Sequence, residues 1–492
     1  MDITSGDEAA VDDTDRSDQL YLGGRWVKAE SAERISVVSP FTEEVIGSVP
    51  APTGREADAA VAAARAAFDS GEWRRTPVER RIEVLLRLAD RYEAVVETMG
   101  RTLTAEMGAP IGWTVRAQAG GSVAIIRAMA EEARRYPWEE DRLDGRAAVL
   151  REPVGVVVAI PPWNVPQTTA LSKVVPALLA GCSVVVKPSP ETPLDALLLA
   201  KLFDDVGLPD GTLSILPGGR EIGERLVAHP GVDHVAFTGS TAAGRSIASV
   251  CGRDLKRCTL ELGGKSAAIV CDDADLDQVT AGLRTASFNI SGQACIAQTR
   301  VLAPRGRYSE VVDALAGLAR GLTLGDPADP ATDLGPLVTS AHRDRVLSYI
   351  DLGEREGARV VAGGSKPPAG LTRGWFVAPT VFADVGNDMR IAREEIFGPV
   401  LCVIPYEDTD EAVALANDSD FGLAGSVWTQ DPERADALAR EVRTGMIGVN
   451  GFRPDFSLPF GGVKASGIGR EFGREGLDAY VESKAYYRTA PR

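Results

Sequence analysis

Histidine is scarce in this chain: three occur in 492 residues, His229, His234 and His342. None stands beside cysteines at zinc spacing, so a structural metal site is not expected. The six cysteines (Cys182, Cys251, Cys258, Cys271, Cys295 and Cys402) form no Cys-x-x-Cys pair. Such scatter suits a reduced cytoplasm rather than a secreted disulfide framework. No stretch of 18 apolar residues occurs, which argues against a transmembrane helix, and the N-terminus lacks the basic and apolar regions of a signal peptide. A basic excess is also missing. Lys and Arg total 53 against 70 Asp and Glu, a net charge of −17, which argues against a nucleic-acid partner that needs a cationic stripe for phosphates.

What is present is an ordinary globular composition, 44% hydrophobic and 25% charged, long enough for about two to four domains and needing no covalent staples. Residues 1–18 carry seven acidic side chains and one arginine and read as a disordered, solvated tail. Short β-like runs follow over 21–49, then amphipathic helices over 56–70 and 77–106. From the middle onward, short apolar runs rich in Val and Ile (154–160, 183–186, 235–237) alternate with helical stretches (168–179, 194–206). A second alternation runs from 267 to about 450. Both predict an α/β fold of doubly wound parallel sheets.

Five segments carry candidate chemistry. In Phe237-Thr-Gly-Ser-Thr-Ala-Ala-Gly244 a strand ends, and a helix is expected from Ala242. Its N-terminus either receives a pyrophosphate or is a plain turn. Lys187 follows a buried strand, where ligands bind in open α/β sheets; it either meets a ribose or phosphate or simply faces solvent. Glu261, in Leu260-Glu-Leu-Gly-Gly264-Lys265, reads as a poorly solvated general base, as a ribose-binding acid 22 residues after Gly239, or as a structural carboxylate. Cys295, in Ser291-Gly-Gln-Ala-Cys-Ile296, is either a nucleophile or a buried structural thiol, whereas Cys271, after an apolar strand, reads as inert. Asn164, in Pro161-Pro-Trp-Asn, either donates to a developing oxyanion or forms a turn. The coincidence of all five at strand ends favours the chemical readings.

With these residues the chain, from about Tyr21 onward, resembles the aldehyde dehydrogenase superfamily. The most specific matches are Glu261-Leu-Gly-Gly-Lys and Gly292-Gln-Ala-Cys295, followed by Pro162-Trp-Asn164, Phe237-Thr-Gly-Ser-Thr, Glu394-Glu-Ile-Phe-Gly-Pro399 and Pro459-Phe-Gly-Gly-Val-Lys464-Ala-Ser-Gly467. The resemblance implies a Rossmann-like dinucleotide-binding domain (19–133 and 152–260), a second α/β catalytic domain (261–465) and a small β oligomerisation extension (134–151 and 466–492). It implies NAD-dependent oxidation of a small-molecule aldehyde through a thioester, with NADP possible. Cys295 would be the nucleophile and Glu261 the general base. Asn164, with the Cys295 backbone N–H, would form the oxyanion hole, and Lys173 would help relay protons. Trp163, Lys187, Ser189, Pro190, Gly239, Ser240, Leu262, Glu395 and Phe397 would bind the cofactor.

One position departs from the pattern. NAD-preferring members often carry a glutamate three residues after the lysine, where this chain has Pro190 with Glu191 beside it. The expected aldehyde wall comprises Gln167, Thr168, Leu171, Ile296, Phe456 and Phe460, pointing to a medium-sized hydrophobic aldehyde, unless Arg453 and Asp455 merely pair at the surface. Transfer of the acyl group to coenzyme A is the main alternative, and relatives of that type generally lack the glutamate at position 261. A cysteine hydrolase without redox chemistry would leave the cofactor elements unexplained. A cytoplasmic homodimer or homotetramer is expected, with no membrane contact. Its intersubunit sheet would be built from 134–151 and the tail 482–492.

Overall fold

Four strands form the centre of the first sheet: β1 (Val156–Ile160), β2 (Ser183–Val186), β3 (His234–Thr238) and β4 (Arg257–Glu261). They lie in the order β2-β1-β3-β4, all parallel, and Leu213–Ile215 extends the parallel run beyond β2. Every residue of β1 and β2 is buried. Helices therefore cover both faces of these strands, which explains why the segments read as continuous apolar runs rather than alternating ones. The hairpin Gln19–Leu22 with Arg25–Lys28 closes one edge antiparallel, and Gly467–Ile468 closes the other against β4. The structure is a computed structural model and describes residues 16, 18–204 and 206–488.

A second sheet of seven strands runs Arg359–Ala362, Thr380–Ala383, Val400–Tyr406, Arg300–Pro304, Ala267–Val270, Gly425–Trp428, Gly448–Val449, parallel except for the first pair. A three-stranded antiparallel sheet joins Val481–Tyr487, Ala147–Pro153 and Glu139–Arg142. Together these are the mixed α/β architecture expected. All the expected central strands are present, with ends shifted by a residue or two.

Several expectations need correction. The helix expected over 77–106 is two, Val78–Glu93 and Val96–Met107, because the buried Val95 leaves helical geometry at φ −118°, ψ 14°. Arg134 and Arg135 end the helix Gly121–Arg135 rather than opening the small sheet. The C-terminal segment does not belong wholly to that sheet either. Phe472, Leu477 and Tyr480 pack in the core beneath the first sheet, since apolar side chains bury wherever the chain passes the core. Most of the acidic tail lies outside the described residues. Of its described members, Arg16 pairs with Asp204 and lies over the Trp26 ring, and Asp18 pairs with Arg34.

Two helices aim the site. α1 (Pro166–Ala180) starts on a proline suited to a first helical turn and is buried at every position except Thr168. α2 (Thr241–Asp254) starts one residue earlier than expected because Ser240 caps it, its hydroxyl accepting from the Ala243 N–H at 3.2 Å.

Candidate active site

Two adjoining cavities lie along the carboxyl ends of β1, β2 and β3. One, of about 660 Å³, is lined by Lys187, Gly219, Phe237 and Ala243 on the outer face of the sheet. The other, of about 850 Å³, is lined by Trp163, Asn164, Gly239, Leu262, Cys295, Glu395 and Phe397. Ser240 borders both. Lys187 is only 7% exposed, and burial pushes its ammonium down to about 8, the Glu191 carboxylate opposing that shift. Its amine donates to the Gly218 carbonyl at 2.7 Å. Glu395 accepts from the Gly264 N–H at 2.8 Å, and burial raises its carboxyl to about 7. A buried cation, a capped helix N-terminus and a desolvated carboxylate along one groove suit the phosphate and ribose groups of a dinucleotide.

Cys295 sits on a loop that tolerates little change. Ile290 and Ser291 have left-handed φ values of 44° and 58°. Gly292, at φ 72°, passes so near the Gly398 carbonyl that a Cβ would stand 2.1 Å from it. A Cβ on Gly264 would lie 2.2 Å from the Cys295 carbonyl. Ser291 donates to the Gly335 carbonyl at 2.6 Å, and the Gln293 side chain donates to Ile290 and accepts from Val338. Cys295 keeps part of its surface on the larger cavity while its sulfur is enclosed by protein. That burial, with the Glu395 and Glu261 carboxylates, raises its thiol pKa, while the backbone N–H groups of Ile296 and Cys295 act in the other direction. Asn164, 4% exposed, donates one Nδ2 hydrogen to the Gln293 carbonyl at 2.7 Å. The Nδ2 group has a second hydrogen to give, and Asn164 and Cys295 both line the larger cavity.

Glu261 ends β4 and is 2% exposed, and neither carboxyl oxygen has a hydrogen-bond partner among the described residues. Burial raises its pKa well above the carboxylate range; Glu471 adds to this, and Lys173 and Arg470 oppose it. Lys173, fully buried on α1, donates to Thr238 Oγ1 at 2.7 Å and pairs with Glu471, which also accepts from Ser172 at 2.7 Å. Glu261, Lys173 and Glu471 are thus one charge cluster beside the cleft. Glu471 is a site residue the sequence reading missed. Its only sequence signal is its place just past the Gly-rich segment ending at Gly469.

The model of the aldehyde dehydrogenase family matches residues 26–486. A protein from Castellaniella defragrans named geranial dehydrogenase is 49% identical over 471 residues, 95% of this chain and 98% of that protein. The chain belongs to the aldehyde dehydrogenase family. The crystal structure of a Mycobacterium tuberculosis aldehyde dehydrogenase complexed with NAD+ has a TM-score of 0.93 at 46% identity, covering 96% of this chain and 98% of that one. A mutant of aldehyde dehydrogenase C from Pseudomonas syringae, complexed with NAD+ and octanal, has a TM-score of 0.94 at 40% identity over 98% of both chains. The protein is an oxidoreductase acting on aldehydes, with NAD(P) as its cofactor.

Within this aldehyde dehydrogenase, the expected site residues divide. Trp163, Asn164, Gly239, Ser240, Leu262, Cys295, Glu395 and Phe397 share one cavity, and Lys187 lines the adjoining one. Ser189 and Pro190 line neither; the Ser189 hydroxyl goes to Glu191. Gln167 and Leu171 line neither cavity. Gln167 is held between the Tyr92 hydroxyl, at 2.9 Å, and Asp195, at 2.6 Å, while Leu171 is fully buried in the core. α1 is buried at every position but Thr168. Thr168 accepts from Gln118 at 2.9 Å and, with Phe456, converges over Gly121. Phe456 and Phe460 pack on Phe472 with centroids 5.1 and 5.9 Å away, in the same cluster as Ala294 beside the nucleophile. Ile296 is half-buried on the other side of Cys295. Asp455 accepts from the Ser457 N–H and hydroxyl at 2.8 and 2.6 Å, a local turn rather than the alternative pairing with Arg453. Also missed were His342, Arg345 and Tyr349, all lining the larger cavity.

Proposed function

We propose that this enzyme oxidises a medium-sized apolar aldehyde to its carboxylic acid, with Cys295 as nucleophile, Asn164 as oxyanion donor and Glu261 as base. The observation that supports the reading is that Asn164 and Cys295 line one cavity, while the Glu261 carboxyl, buried and without a hydrogen-bond partner among the described residues, lies near enough to act on the Cys295 thiol.

Lys187, Ser240 and Glu395 are the residues that would hold NAD, and the two joined cavities fit its adenosine and nicotinamide halves. Bound there, NAD supplies the oxidant, taking up the hydride of the aldehyde carbon. The Glu191 carboxylate, held by Ser189 and felt by Lys187, keeps negative charge near the ribose end and favours NAD over NADP despite Pro190. The Cys295 sulfur, once deprotonated, bonds to the carbonyl carbon. The oxygen that gains the electron pair is held by Asn164 Nδ2 and the Cys295 N–H. After oxidation the acyl group remains on sulfur as a thioester. Glu261 takes a proton from water as that water attacks the thioester carbon, the C–S bond breaks, and the acid leaves. Lys173 and Glu471 stand behind Glu261 to pass its proton onward.

Asn164→Ala should lower kcat by about 10²–10³, the usual cost of one oxyanion donor. Thermal unfolding should stay close to wild type, since Asn164 makes a single bond to a loop that has other anchors. Loss of less than about threefold would remove Asn164 from the oxyanion role.

The substrate class rests on the aromatic group Phe456, Phe460 and Phe472, and on the apolar aldehydes in the names of relatives, geranial and octanal. A panel of aliphatic, aromatic, terpenoid and betaine-type aldehydes should give its highest kcat/KM with uncharged, apolar substrates, whose burial against aromatic walls is favourable. A preference for a charged aldehyde would overturn the class. NADH formation independent of coenzyme A separates hydrolysis from acyl transfer.

No helix among the described residues is long and apolar enough to cross a membrane. We place the enzyme in the cytoplasm as a homodimer or homotetramer, assembled through the small sheet whose terminal strand exposes Tyr486 and Tyr487. We retain the division into a dinucleotide-binding part, a catalytic part and oligomerisation segments, with 467–480 moved to the first on its packing.

A further inference from the structure

The segment bearing Glu395 and Phe397 has little regular structure of its own. It follows the short helix Arg390–Arg393 and precedes the strand Val400–Tyr406. Phe397 has a left-handed φ of 64°, a conformation that persists in a non-glycine residue only where surrounding contacts impose it. Those contacts come from one face of α3 (Ser340–Arg355). His342 Nε2 lies 2.7 Å from the Phe397 carbonyl, Arg345 Nη2 donates to the Glu395 carbonyl at 2.7 Å, and the Tyr349 hydroxyl donates to Glu394 Oε2 at 2.6 Å. A carbonyl only accepts, so His342 carries its proton on Nε2. The three residues are spaced i, i+3, i+7, a single helical stripe. Between them, Val346 fills the space beside Gly398, where an added Cβ would stand 2.7 Å from its methyl groups.

The same stripe reaches the cleft. The rings of Trp163, His342 and Phe397 meet edge-on in pairs, with centroids 5.6 to 5.9 Å apart. On its other side the segment touches the nucleophile loop, through Gly398 against Gly292. It is therefore held between α3 and the Cys295 loop.

We propose that His342 and Arg345 are positioning residues. By holding the carbonyls of 397 and 395, they turn the Phe397 ring and the Glu395 carboxylate toward the ribose and nicotinamide half of the cofactor. The proposal rests on the reading of this cleft as the dinucleotide site. It makes α3 the element that sets affinity for that half of the cofactor, while the Lys187 end is held independently.

The test uses the full-length enzyme with NADH as probe, binding followed by fluorescence and backbone exposure by hydrogen–deuterium exchange. His342→Leu removes the donor and the edge-on ring contacts. It should weaken NADH binding and raise KM for NAD by about tenfold, the effect of losing roughly one buried hydrogen bond. Exchange across 394–400 should accelerate, with no change in β1 or β2. His342→Gln, which restores an N–H donor, should recover most of the affinity and protection. Arg345→Met, at an exposed side chain that folding does not need, should speed exchange at 394–397 and weaken NADH binding by a smaller factor. kcat at saturating NAD should fall less than KM rises. Wild-type affinity and exchange in His342→Leu, or a kcat loss with unchanged NADH binding, would overturn the proposal. Wild-type enzyme that binds no NADH would instead sink the functional reading, while the exchange data would still report whether α3 holds the segment.

Discussion

Cys295→Ala should abolish NADH production from every aldehyde, by at least about 10⁴-fold, because loss of a nucleophile cannot be offset by the groups that assist it. Cofactor binding should survive. Lys187 is held by the Gly218 carbonyl and Ser240 by its capping bond with Ala243, and Glu395 is held by the Gly264 N–H and the Arg345 contact. The loop should survive too, since its shape is set by Ser291, Gly292 and Gln293 rather than by the thiol. Removing a sulfur that lies near two carboxylates also removes the group whose ionisation they oppose, so no charge is left unpaired. Two measurements check this: NADH formed at saturating aldehyde, and NADH affinity by fluorescence. Turnover within tenfold of wild type would show that the reaction does not pass through sulfur. The other cysteines offer no replacement, because none lines the larger cavity: Cys182, Cys251, Cys271 and Cys402 are buried, and Cys258 is half-buried near the start of β4.

How much of this was legible beforehand depended on whether a residue's role is written in its neighbours. Cys295, Glu261 and Asn164 stand in short segments whose glycines, prolines and apolar flanks already describe a strand end or a tight loop. The wall residues are harder to read for a physical reason. α1 is buried almost all round, so periodicity does not say which face meets the substrate, and Gln167 and Leu171 are enclosed while Thr168 is partly exposed. Glu471 was invisible because its partners Lys173 and Ser172 lie about 300 positions earlier, and only the antiparallel return of Gly467–Ile468 along β4 brings it home. His342, Arg345 and Tyr349 look in sequence like the polar stripe of a surface helix; only the fold shows that this stripe faces the cofactor cleft.

Glu261→Gln should leave the first half of the reaction and stop the second. The amide has the size of the carboxyl but accepts no proton, so the thioester formed on Cys295 should persist. One equivalent of NADH per site is expected, then near-arrest, with steady-state kcat lower by about 10²–10⁴, the usual weight of a general base. Mass measurement of the stalled protein should find the acyl group attached at Cys295. The pH profile supplies a second, independent reading. Burial and Glu471 raise the Glu261 pKa, so the acid form, which cannot act as a base, extends above the ordinary carboxylate range. Wild-type deacylation should therefore increase as pH rises through that raised pKa and then level off, and the residual rate of Glu261→Gln should lack the inflection. Lys173 opposes the shift and Glu471 adds to it, so Lys173→Met should move the inflection to higher pH and Glu471→Gln to lower pH. A carboxyl serving only to support β4 would show none of these opposed displacements. Continuous turnover by Glu261→Gln at the wild-type rate, without a burst, would transfer the role of base to another group.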